Sequence, residues 1–229
     1  MEFMLTEENL KKWINIQSDT TVIYEKPKPK TKPNLECIYH PAFMRDKLFW
    51  CFYIIVEGVD NYELAKEKLF RFENEFKYKS VLKIREKILI LKKLKLKSNE
   101  IESELVTSKI IDFNVFHSLA IAYDKSIIYF SDLVYYDLCY GDEYFLIERK
   151  GDNIFLHTGD VKEKIISIRK NLFSVDISKT KGINSISSYT AKELHDIADK
   201  LNIEKTIDGK PLTKPLLYAE IAIKIGKLT

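Results

Sequence analysis

The chain has 229 residues, 45% of them hydrophobic, with 13 Tyr and 13 Phe. That is enough apolar surface for one sizeable core plus a small appended unit, and it excludes both a disordered chain and a long multidomain one. The net charge of +3 is too small to argue by itself for nucleic acid or an anionic membrane, so local clustering must carry any such claim.

The amino-terminal sequence reads as a short helix over residues 5 to 16, with Thr6 as its cap and Glu7 and Glu8 in its first turn. Acidic residues stand where a secretory leader would carry a basic end. KPKPKTKP at 26 to 33 follows as an extended linker, because three prolines among lysines cannot join a central strand. The organisation expected is therefore 1 to 36 as helix and linker, 37 to 177 as the body, and 187 to 229 as a helical module.

The body opens with MRDKLFWCFYIIVE, bracketed by Pro41 and Gly58, a buried element that periodicity assigns neither to helix nor to strand. From Tyr62 to about Glu104 apolar residues recur three or four apart, which predicts two or three helices. Asp112 caps a further helix to Tyr123; short strands from SIIYF to Phe155 follow, with turns at Ser131-Asp132, Gly141-Asp142 and Gly151-Asp152. Helices followed by a largely antiparallel sheet make an α+β body. The polar stretch at 178 to 188 leads to Thr190 and Glu193, a capping box for one helix, and Thr213-Pro215 starts another.

Between Lys77 and Lys97 stand nine Lys or Arg against the single acid Glu86. Interleaved with a Val, Leu and Ile stripe, they describe either a solvated amphipathic face or an interaction face for phosphates or an acidic partner, with Lys83, Arg85, Lys92 and Lys93 as its outward cations.

The cysteines, Cys37, Cys51 and Cys139, form no CxxC pair, which suits a reducing intracellular compartment, cytoplasmic or nuclear, better than a disulfide framework. The Cys37 and His40 pair lacks two further ligands at zinc spacing, and no metal or cofactor is expected. The longest apolar run, Leu48 to Val56, is too short to span a bilayer, so no membrane association is expected.

Two family resemblances rest on these residues. The segment from Tyr189 to Ile225, with a first helix ending KLNI, the Gly209-Lys210 turn and a Leu217, Ile221, Ile225 stripe, resembles the SAP and Rho-N type of helix-loop-helix domain. That resemblance implies contact with a DNA or RNA backbone near Lys205, Lys210 and Lys214. Residues 44 to 160, with Cys51 in DKLFWCFYII and His157 in NIFLHTGD, resemble papain-like cysteine proteases of the ovarian-tumour type. That implies Cys51 as nucleophile and His157 as general base; the family's third member has no clear counterpart, Asp160 being the residue placed to orient His157, and the family's Asp-Gly-Asn-Cys loop is replaced here by Leu48, Phe49 and Trp50. A buried core cysteine is the competing reading of Cys51. High Lys, Ile, Asn and Tyr resembles the composition of proteins from large AT-rich DNA viruses. The functions expected are thus a cysteine hydrolase or its inactive descendant, acting on a protein; a nucleic-acid-binding or virion-associated protein; or an assembly scaffold.

Overall fold

The computed structural model describes residues 37 to 228, apart from 178, 180, 208 and 209. The helix expected over 5 to 16 and the Pro-Lys linker lie outside the described residues.

A short strand, β1 (Cys37–Tyr39), leads into helix α1 (Lys47–Glu57). The ambiguous apolar run is therefore helical. Asp46 fixes its start by accepting the Phe49 N–H, and Gly58, at φ 86°, ends it. Every residue from Leu48 to Ile55 is buried, which is why no amphipathic period was visible. Four helices follow where two or three were expected: α2 (Val59–Ala65), α3 (Leu69–Glu86), α4 (Ile88–Lys93) and α5 (Ser98–Thr107). Helix α6 (Phe113–Ala122) begins as the sequence predicts, with Asp112 Oδ1 accepting the Val115 N–H at 2.7 Å.

Four strands come next, β2 (Ser126–Phe130), β3 (Val134–Leu138), β4 (Tyr144–Lys150) and β5 (Asn153–Thr158), and then helix α7 (Lys162–Asn171) and strand β6 (Phe173–Ser174). They form a sheet in the order β1-β5-β4-β2-β3-β6. The fold is α+β, but the sheet is mixed: β2 runs parallel to β4, and β3 parallel to β6. Its antiparallel pairs are β1 with β5, β5 with β4, and β2 with β3.

Alternation along the strands sorts the core into two layers. Ile127, Tyr129, Tyr136, Ile147 and Leu156 join α1 and α6 in the larger cluster, whereas Ile128, Phe130, Tyr135 and Leu146 pack with Ile165 and Ile168 of α7 on the opposite face.

The carboxyl-terminal helices are α8 (Ala191–Lys200) and α9 (Lys214–Leu228), joined through a small antiparallel hairpin, β7 (Thr206–Ile207) and β8 (Lys210–Pro211), where an extended loop was expected. Thr190 and Glu193 complete the capping box. Leu217, Ile221 and Ile225 are buried in the same cluster as Val175 and Ile183. No helix among the described residues is long and apolar enough to cross a membrane.

Candidate functional site

The three residues of the hydrolase reading are not brought together. Cys51 is fully buried in α1, within the larger core cluster, and burial, reinforced by the Asp46 charge, pushes its thiol far above the ordinary value. A thiolate nucleophile needs the opposite environment. His157 lies on the other side of the sheet: its neighbour Leu156 points toward α1, so the pleat turns the imidazole toward α7, beside Phe130. There its Nε2 donates to Glu148 Oε2 at 3.0 Å and its Nδ1 accepts from Lys164 Nζ at 3.1 Å. Burial raises the Glu148 carboxyl, but hydrogen bonds from Lys150 and His157 more than offset this and leave it below the usual range. Asp160 is exposed and accepts instead from the Lys162 backbone N–H, at 3.4 Å. The sheet itself thus separates nucleophile from base, a correction that follows from register.

The basic run is also altered by the fold. Lys77 pairs with Glu73, Lys79 with Glu75, Arg85 with Glu102, Lys87 with Asp124 and Lys97 with Glu100. Arg85 therefore links α3 to α5 and does not stand as an outward cation. Lys77 is buried, its Nζ also reaching the Ser108 carbonyl. Lys83 is exposed and lies over the Tyr123 ring at 4.9 Å. Lys92, Lys93 and Lys95 are exposed and, among the described residues, make no ion pair. In the carboxyl-terminal module Lys205 is held by Asp199 at 2.6 Å and Lys214 lies close enough to Glu193 to lower its carboxyl, so Lys210 alone of the three is exposed without an acidic partner among the described residues.

Two clefts adjoin these features. One, of about 630 Å³, is lined by Lys95 from the turn after α4, by Asn114 and His117 of α6, by Tyr140, and by Asp176 and Lys179 from the loop after β6. His117 is buried, with Nε2 hydrogen-bonded to the Tyr140 hydroxyl at 2.6 Å and Nδ1 without a partner among the described residues. Burial lowers its pKa to about 4, so it is neutral at pH 7. Its place on the apolar helix that Asp112 caps reads as a core position, and no local signal marks the cleft, because Lys179 is far from Lys95 in the chain.

The second cleft, of about 570 Å³, opens where the carboxyl ends of β2 and β4 meet the start of α1. Arg45, Lys47 and Arg149 line it together with Tyr129, Ile110 and Ile154. No local motif marks it, since its walls come from four separate segments, around Arg45, Ile110, Tyr129 and Arg149. His40, the other half of the conceivable metal pair, donates Nδ1 to the Ile154 carbonyl and stacks on Phe155 at 4.5 Å. No protein-family model, curated protein or solved structure matches the chain.

Proposed function

We propose that this chain is a non-enzymatic nucleic-acid-binding protein, whose contact face is formed by the exposed Lys92 and Lys93 at the end of α4 and by Lys95 and Lys179, which line the 630 Å³ cleft. The observation that carries the reading is the pairing pattern: after nearby and distant acids have neutralised five of the cations between Lys77 and Lys97, those at the end of α4 remain exposed and unpaired. Lys179 and Lys181, both exposed, extend the same charge from the loop after β6. Cations held without acidic partners release counterions from a phosphate backbone, and this dominates nucleic-acid affinity. Lys210 of the SAP-like module is a second contact under this reading. The hydrolase reading has no comparable support, with Cys51 buried and His157 behind the sheet.

A specific observation favours one alternative. Leu89 and Ile90, beside Lys92 and Lys93, are 72% and 40% exposed, which suits docking of an acidic, partly apolar protein as in an assembly scaffold.

The deciding experiment is fluorescence anisotropy with labelled single-stranded DNA, duplex DNA and RNA across a salt series. It compares the wild type with a Lys92→Gln, Lys93→Gln, Lys95→Gln, Lys179→Gln variant. Binding that weakens steeply with salt, with a log–log slope reduced by roughly 3 in the variant, supports the nucleic-acid face. Absence of binding at about 50 mM salt, or a slope equal in both proteins, rejects it and favours the scaffold.

A further inference from the structure

The 570 Å³ cleft at the start of α1 is independent of the lysine face, and its chemistry is different. Its volume falls in the range of small-molecule sites. Arg45 stands immediately before the helix cap, exposed, with no partner among the described residues. Arg149 enters from the end of β4, its guanidinium bonded to the Tyr129 hydroxyl and its Nε to the Gly151 carbonyl at 3.3 Å. Lys47 completes the rim, anchored through Nζ to the Asp152 carbonyl and to Asn153 Oδ1.

Two carboxylates line the same cleft, Asp46 and Asp152. Asp46 does not oppose an incoming anion effectively: it is buried, and its oxygens accept the Phe49 N–H at 2.9 Å and the Ile111 N–H at 2.6 Å. Asp152 is exposed and its charge is solvated. The same cleft is lined by hydrocarbon from Ile110, 57% exposed, and Ile154. Aliphatic surface sharing a cleft with two guanidinium groups suits one ligand class. The geometry points to a binding site for a small amphipathic organic anion, its carboxylate or phosphate head held by Arg45 and Arg149 and its apolar body laid on Ile110 and Ile154.

Calorimetric titration of the full chain with phenyl phosphate, octanoate, inorganic phosphate and benzyl alcohol tests this. Phenyl phosphate or octanoate is expected to bind at least about tenfold tighter than inorganic phosphate or benzyl alcohol, each of which supplies half of the recognition. Which of the two binds identifies the head group. Arg45→Gln is expected to weaken that binding about tenfold with the melting temperature unchanged, because Arg45 has no partner to lose among the described residues; Arg149→Gln is expected to weaken it similarly and also to lower the melting temperature, since it gives up the Gly151 carbonyl. The lysine-face variant is expected to bind these anions as the wild type does, so the two proposals fail separately. The site is overturned if neither organic anion exceeds benzyl alcohol, or if Arg45→Gln binds as the wild type does.

Discussion

Asp46 Oδ2 accepts the backbone N–H of Ile111 at 2.6 Å, tying the start of α1 to the junction between α5 and α6 across 65 residues of chain. The other oxygen caps the helix through Phe49. Burial holds the carboxyl above its ordinary range, while these two N–H groups and Lys77 pull it back. Asp46→Ala removes the cap and strands a buried donor, a combined loss of about 2–4 kcal/mol. Asp46→Asn keeps one acceptor and is expected to lose roughly half of that. Urea unfolding of the three proteins measures the difference, and an alanine variant as stable as the wild type would show that the latch is idle.

Cys51 is expected to resist a thiol-directed reagent in the native protein and to label only on unfolding, because the thiol is buried and its thiolate disfavoured. Exposed Cys139 serves as the internal control that labels first. Peptide mapping distinguishes the sites. Rapid native labelling of Cys51 would show that the thiol is reached by solvent in the folded protein.

His117 makes stability depend on pH. Its folded pKa, about 4, lies below the unfolded value of 6.5, so between those limits the unfolded chain binds the proton that the folded one refuses. Stability is therefore full above about pH 6.5, falls as pH drops toward 4, and levels below that, with a total loss of up to about 3 kcal/mol. His117→Gln is expected to flatten this segment of the stability curve. A variant with the same slope between pH 6.5 and 4.5 would place the proton elsewhere.

A Cβ added at Gly141 would collide with the Asp124 carbonyl oxygen, while the glycine's own N–H and carbonyl are both bonded to the Ser126 hydroxyl. Gly141→Ala must push backbone apart at the start of β2, and a loss of roughly 2 kcal/mol is expected, readable as a lowered melting temperature. An unchanged melting temperature would mean that the β3–β4 turn yields freely.

Much of the secondary structure was legible because its signals are local. Asp112, Thr190 and Glu193 act within a single helical turn, and the glycine and aspartate turns separate strands a few residues long. The helical state of Leu48 to Ile55 was not, since a segment buried on all sides has no period to read. Nor was the parallel pairing of β2 with β4, which depends on where the chain goes after β3. The failed pairing of Cys51 with His157 has the same origin: chain order brings both into one body, but a one-residue alternation decides which face each occupies. Arg45, Ile110 and Arg149 meet in one cleft from segments about forty to sixty residues apart, and no spacing rule foretells that.

The neutralisation of the Lys77 to Lys97 run implies that folding works as a charge mask. Glu102 and Asp124 reach Arg85 and Lys87 only once α5 and α6 have docked. Before then the segment is a polycation with nine basic side chains and one acid, a far better ligand for nucleic acid than the finished fold. The nascent or denatured chain should therefore adhere to RNA and DNA most strongly, and nucleic acid carried through purification would report unfinished folding sooner than biological binding.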